Sequence, residues 1–186
     1  MVEVGNVLSL DTPTPLRGRS RAERILAAAR PARGAFDILC IHADGAGDAN
    51  AAWLEQVSPA LLLLDDDYYQ RHERAIGVVP IREIEAWALA DGDALRRAFG
   101  TVHSDQELGL PSKKHEVEGI LDPKAVLEQM LSLVVGGGRR RKSGAAGFLA
   151  AIGAAIRLEQ LRDVPSFTRF ERDLQQALEE LGYVQP

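Results

Sequence analysis

The sequence predicts an α/β fold, with a mostly parallel sheet flanked by helices and a helical C-terminal half. Three observations carry this expectation. Short apolar runs alternate with helix-spaced segments through the first half of the chain. The run Phe36 to Ala43 (FDILCIHA) is apolar on both faces, as in a strand buried on both sides of a parallel sheet. Beyond residue 100 the periodic segments are all helical. The expected division is an α/β core over residues 1–100 and a helical extension over 101–186.

Val2 to Leu10 (VEVGNVLSL) is rich in β-branched and apolar residues and reads as the first strand. Asp11 to Gly18 holds two prolines and a glycine and reads as a loop. Ser20 and Glu23 have capping-box spacing, so a helix is expected over about residues 21–30, stopped by Pro31 and Gly34. The Phe36–Ala43 strand ends in His42-Ala-Asp44-Gly-Ala-Gly-Asp48, where glycines permit a sharp turn and close approach of a ligand. Ala49 to Leu64 reads as helix with a break at Ser58-Pro59. Ala75 to Pro80 (AIGVVP) reads as a further strand, and Ile81 to Ala90 as a helix that continues or restarts over Asp93 to Phe99. Thr101 to Lys114 is polar and irregular. Pro123 to Val134 and Ala145 to Ile156 are helical. Ser166 to Leu181 is strongly amphipathic, with Phe167, Phe170, Leu174, Leu178 and Leu181 as its stripe and Gly182 as its stop.

Composition narrows the class. With 46% hydrophobic and 26% charged residues, the 186-residue chain reads as an ordinary globular protein. No apolar run reaches the ~18 residues that span a bilayer, so no membrane helix is expected. No basic segment precedes the first apolar residues, so no signal peptide is expected and the chain reads as cytoplasmic. The single cysteine, Cys40, excludes an internal disulfide and a cysteine-based zinc site. Charge is distributed unevenly: +3 over residues 1–35, −10 over 36–134 and +2 over 135–186. A uniformly basic nucleic-acid binder does not look like this. An acidic centre that binds a divalent cation, with basic rims for phosphate, does; so does an ordinary solvated surface.

Chemistry is expected beyond the carboxyl ends of the strands, where ligands sit in open parallel sheets. Asp44 and Asp48 flank a glycine turn there, with His42 just before them. Two such carboxylates suit a hard cation such as Mg²⁺, or serve simply to cap the next helix. On a helix from Ile81, at about 100° per residue, Glu85 and Asp91 fall within the apolar arc while Glu83 falls outside it and reads as solvated. A carboxylate on that arc needs a partner, so Glu85 should be largely buried and paired, by a metal, an arginine or a backbone amide. Asp65-Asp66-Asp67 reads as a solvated helix face. His72, His103 and His115 lack metal-ligand spacing. No phosphate-loop, nucleophile-elbow or dinucleotide-binding motif is present. Arg17, Arg19, Arg21 and Arg24, and the run Arg139, Arg140, Arg141 and Lys142, offer contacts to a phosphate backbone but lack interleaved aromatics for base stacking.

Four segments together resemble a family of uncharacterised bacterial, Toprim-like proteins, domain-of-unknown-function family 4276. They are FDILCIHADG from Phe36, VVPIREIEAWALAD ending at Asp91, Leu121-Asp-Pro-Lys124, and Val164-Pro-Ser-Phe-Thr-Arg-Phe170. The resemblance runs from about residue 36 to the C-terminus. It implies a Toprim-type sheet with an acidic divalent-metal site. Toprim folds as a class carry an acidic D-x-D after a central strand and a glutamate after the first strand. Asp44 takes the later aspartate, His42 stands at the earlier position, and the first-strand glutamate has no clear match, Glu3 being a faint one. The expectation is a Mg²⁺-dependent (or Mn²⁺-dependent), nuclease-like protein acting on DNA or RNA. Relatives suggest a phage-defence setting with an ATPase partner. Asp44, Asp48 and Glu85 would ligate the metal, with Glu85 or Asp44 acting in catalysis and His42, Asp91 and Lys124 in support. The rival expectation is a non-catalytic interaction partner with a degenerate acidic site.

Overall fold

Residues 9–10, 18–68, 73–134 and 144–185 are described, in a computed structural model of the chain. Residues 2–8 of the expected first strand, His72 and the run Arg139 to Lys142 lie outside them. The described residues form a mixed α/β protein with a small parallel sheet of two strands. Packing divides the chain into two units interleaved in sequence rather than separated at residue 100.

The first unit holds residues up to 43, 50–79 and 170–186. Helix α1 (Arg21–Ala29) starts at the expected capping box: Ser20 Oγ accepts from the Glu23 amide at 3.2 Å, and Glu23 accepts from the Ser20 amide at 2.6 Å. Pro31 then turns the chain through a short 3₁₀ segment, Arg30–Ala32. Strand β1 (Ile38–His42) pairs in parallel with β2 (Arg74–Val78), Ile41 opposite Gly77 and His42 opposite Val78. Parallel neighbours need a crossover, and here a helical run from Ala49 supplies it: α2 (Ala49–Ala52), a π-helical turn (Trp53–Val57) and α3 (Ser58–Tyr68). The break expected at Ser58-Pro59 is absorbed in that wide turn. The Ser58 amide reaches back to the Trp53 carbonyl, and Pro59 enters a fresh α segment near its start, where its missing N–H leaves no gap.

The crossover covers the sheet face that carries Ile41 and Gly77. Ile41 is buried, and Gly77 lies so close to the helix that a Cβ there would fall 2.2 Å from the Trp53 ring and 2.8 Å from Val57. Cys40 and His42, on the other face of β1, are exposed. The expectation that β1 is buried on both sides is therefore corrected. An apolar sequence on both faces permits double burial, but on β1 the second face is exposed at Cys40 and His42, although Ile76 beside Cys40 on β2 is buried.

The second unit holds residues 44–49 and 80–169. Its centre is α4 (Glu85–Ala88), which touches α6 (Pro123–Val134), α7 (Leu149–Ala155) and the 3₁₀ segment Lys114–Gly119. Ala86, Ala88 and Ala90 let these neighbours approach closely, and all three are buried with Trp87 and Leu89. The Trp87 ring meets Phe167 edge to face, centroids 5.3 Å apart. Its indole N–H donates to Ser166 Oγ at 2.8 Å, and the Ser166 hydroxyl donates in turn to the buried Glu118 carboxylate. Helix α5 (Gly92–Phe99) packs on α7, with Phe99 against Phe148. A single turn, α8 (Leu158–Leu161), leads to α9 (Pro165–Glu180), which stops at Gly182, φ 78°; of the expected stripe Phe167 is buried and Phe170, Leu174, Leu178 and Leu181 are half-buried.

The structure corrects one helix. The expected helix over 81–90 is reduced to the single turn of α4, because the carbonyls of Pro80, Ile81 and Arg82 are taken by the amides of residues 45–47 and Ile81 and Arg82 form a bend. Replacing Gly77 by alanine tests the packing of the first unit. The Trp53 ring and the Val57 methyl would have to shift to admit a Cβ, so Gly77→Ala should destabilise the chain by about 2 kcal/mol or more in denaturant unfolding.

Candidate functional site

The segments that follow β1 and β2 are laced together by their backbones. The Gly45 amide donates to the Pro80 carbonyl at 3.0 Å, the Gly47 amide to the Ile81 carbonyl at 2.8 Å and the Ala46 amide to the Arg82 carbonyl at 3.4 Å. Gly45 is required by contact: a Cβ there would lie 2.5 Å from both the Pro80 and Ile81 carbonyl oxygens. The turn closes with the Asp48 amide on the Gly45 carbonyl at 2.8 Å, and its central residues, Ala46 (φ 49°) and Gly47 (φ 101°), are both left-handed. The Arg82 guanidinium lies over Gly47, close enough that a Cβ there would sit 2.9 Å from it.

This lacing brings the acidic ends of two segments into one neighbourhood of the second unit. Glu83 is its centre. Its carboxyl is pushed above the ordinary glutamate range, first by burial and then by the like charges of Glu85, Asp122 and Asp44, with Lys124 opposing them. One Glu83 oxygen is buried with no hydrogen-bond partner. Asp44, Asp122 and Lys124 are exposed, while Glu83 and Glu85 are half-buried. Asp122 also caps α6, accepting from the Ala125 amide at 2.7 Å, with Pro123 at the first helical position. The Leu121-Asp-Pro-Lys124 motif is thus a helix start that sets an acid and a base beside Glu83.

Of the residues singled out from the sequence, Asp44, Glu85 and Lys124 converge here. Glu83, read as solvated, and Asp122, which had no assigned role, join them. Glu83 was misread because its register was counted on a helix from Ile81, whereas the helix begins at Glu85. Glu85 is half-buried rather than largely buried, and among the described residues no hydrogen bond or ion pair holds it. Asp48 is exposed at the far end of the glycine turn and is not among the charges that raise Glu83. His42 is exposed, and its carbonyl accepts from the Arg21 guanidinium at 2.7 Å in the first unit. Arg24 is half-buried, its Nε buried without a hydrogen-bond partner.

Asp91 has a different role from the support expected of it. It is fully buried and caps α5 through the amides of Asp93 and Ala94. It also accepts from the Arg157 amide at 3.0 Å and from Arg157 Nε and Nη2 at 2.9 Å each. Burial pushes its carboxyl up, but the hydrogen bonds from Arg157 and the α5 amides outweigh this and hold it at about 2. Asp93, Arg96 and Asp105 extend the network outward.

Among the described residues, no group of three or more His, Cys, Asp or Glu side chains is arranged to hold a metal ion. Comparison of the chain with family models, curated proteins and solved structures finds no match.

Two outcomes test these local readings. Ala46 occupies a left-handed position that costs a non-glycine residue about 1 kcal/mol, so Ala46→Gly should stabilise the chain by about 0.5–1 kcal/mol in denaturant unfolding. Asp91 ionises at about 2 when folded against 3.8 ordinarily, so its contribution is complete above 3.8 and is lost as pH falls through that window. Asp91→Asn should cost about 2–3 kcal/mol at neutral pH and flatten the acid limb of stability against pH.

Proposed function

We propose that the chain is a Mg²⁺-dependent, nuclease-like protein that processes nucleic acid, with the acidic neighbourhood of Asp44, Glu83, Glu85 and Asp122 as its cation site. The observation that carries this reading is the Glu83 carboxyl, raised first by burial and then by three neighbouring acids, and left with one buried oxygen unpartnered. Mutually repelling carboxylates are relieved by a divalent cation. The donor set is hard oxygen, which suits Mg²⁺ or Mn²⁺ and not a softer metal. Mg²⁺ usually takes only one or two carboxylates and fills its shell with water and substrate phosphate. A preformed cage of three acids is therefore not required, and the donor chemistry fits.

In this reading Glu83 and Asp44 would hold the cation, which supplies an activated water and charge stabilisation at the phosphate. Glu85, without a fixed partner among the described residues, would orient or deprotonate that water. Lys124 and Arg82 would face the phosphate and offset its charge. The Toprim-like family assignment, the phage-defence setting and the ATPase partner belong to the same proposal and rest on the sequence resemblance. A second reading, a non-catalytic partner with a degenerate site, is favoured by His42 at the earlier position of the aspartate pair.

The experiment is a thermal unfolding series with and without Mg²⁺ or Mn²⁺, alongside cleavage of DNA and RNA. The cation should raise the melting temperature by mass action, and Asp44→Asn should abolish the rise. Glu83 is raised on folding, so its charged form costs stability, and that cost appears as pH rises through its folded value. Glu83→Gln should therefore melt about 1–2 °C higher than wild type without cation at neutral pH, and gain nothing from cation. An unchanged rise in Asp44→Asn would overturn the site. A normal rise with no cleavage of either nucleic acid would favour the non-catalytic partner.

A further inference from the structure

Helix α4 is a single turn, Glu85–Ala88, and no side chain caps its start. A turn this short is not held in place by its own hydrogen bonds, so its packing neighbours decide where it lies. It carries the acidic site. Glu85 opens it, and the Glu83 carbonyl just before it accepts from the Ala86 amide at 3.0 Å. Ala86 and Ala88 are buried but have no polar side-chain group to fix a direction. Trp87 has one. Its indole N–H donates to Ser166 Oγ at 2.8 Å, and its ring stands edge to face on Phe167, with 86° between the planes. Both partners lie in the first turn of α9.

Glu118 fixes the other end of this contact. It is 5% exposed, and it accepts from the Ser166 hydroxyl on one oxygen and from the Ser166 amide at 3.4 Å on the other. A serine hydroxyl has one hydrogen to give and two lone pairs to receive. Glu118 takes the hydrogen, which leaves a lone pair for Trp87. Glu85 has no side-chain partner among the described residues, so its place is set by the backbone of the turn, and Trp87 ties that turn to α9. A binding site needs its groups held to within about 0.5 Å.

We propose that Ser166 and Glu118 are positioning residues of the acidic site: acting through Trp87, they hold the turn that carries Glu83 and Glu85 in the place where a divalent cation binds. The proposal rests on the cation-site reading above. Neither residue is itself assigned to the cation.

The test is calorimetric titration of the full-length protein with Mg²⁺ and Mn²⁺, with the ¹H–¹⁵N signals of the tryptophan indoles as a second readout for Mg²⁺. The chain has two tryptophans, and Trp53, in the first unit, is the internal reference. Mg²⁺ should move the Trp87 indole signal and leave that of Trp53 in place. Ser166→Ala should weaken both cations about fivefold or more, the worth of one hydrogen bond. Ser166→Thr keeps the hydroxyl and should bind within about twofold of wild type. Trp87→Phe keeps a ring on Phe167 and removes the donor, so it should weaken the cations as Ser166→Ala does, and it serves if that variant fails to fold. Gly77→Ala, destabilised in the first unit, should bind within about twofold of wild type, which separates positioning from a general loss of stability. Four results overturn the proposal while leaving the cation site standing: unchanged binding in Ser166→Ala or Trp87→Phe, equal weakening in Ser166→Thr, equal weakening in Gly77→Ala, or an unmoved Trp87 signal at saturating Mg²⁺. No saturable cation binding by the wild type overturns the cation site and this proposal with it.

Discussion

The acidic site depends on three backbone hydrogen bonds, from Gly45, Ala46 and Gly47 to the carbonyls of Pro80, Arg82 and Ile81. They join the turn after β1 to the bend after β2, just beyond the last residues of the parallel ladder. One consequence is local. The carbonyls of residues 80–82 are held by this lacing rather than by a helix, so α4 begins at Glu85 and Glu83 lies near the other acids. Another is electrostatic. Four carboxylates share a neighbourhood in which Lys124 opposes the raised Glu83, and burial makes each added negative charge more expensive than it would be in water. The close approach is available only because residue 45 has no side chain.

The two acidic centres of the second unit solve opposite problems. Asp91 is fully buried, yet it is held at about 2 by five donor contacts from Arg157 and the first turn of α5. That arrangement is a structural clamp: every lone pair is used, and the charge is stable because its partners are fixed. Glu83 is less buried but lacks donors, so its charge is costly. Unmet cost of this kind marks places where a ligand can act. The two carboxylates lie only a few residues apart in one short motif, and a sequence pattern treats them alike. Their surroundings separate a support from a site.

A buried carboxylate of the first unit lies between these two cases. Glu73 shares its charge with the Gly34 amide on one oxygen and with nothing on the other. Arg74, its neighbour in sequence, is turned to Glu180 on α9. The Arg74 guanidinium meets the Glu73 backbone carbonyl, not its carboxylate, at 2.9 Å.

Periodicity and capping determined much of the fold. The alternation of apolar runs and helical segments marked two strands now seen in parallel, and Ser20 with Glu23 marked the start of α1. Pro123 and the stripe ending at Gly182 marked α6 and α9 to within a residue or so. These are local signals, set by the chain's own hydrogen-bonding and steric preferences. The sequence also singled out the turn after β1 and the carboxylates after β2 as a place for chemistry. It did not determine which carboxylates meet. Glu83 was assigned to solvent and Asp91 to the site because both were counted on a helix that local propensity favours, whereas hydrogen bonds from residues 45–47 hold the start of that stretch in a bend. Asp122 enters from a helix cap almost forty residues downstream, and Glu73 meets Gly34 across a similar gap in sequence. Such encounters are properties of the assembled backbone. The cost of a buried charge is set by the groups packed around it, and those come from distant parts of the chain.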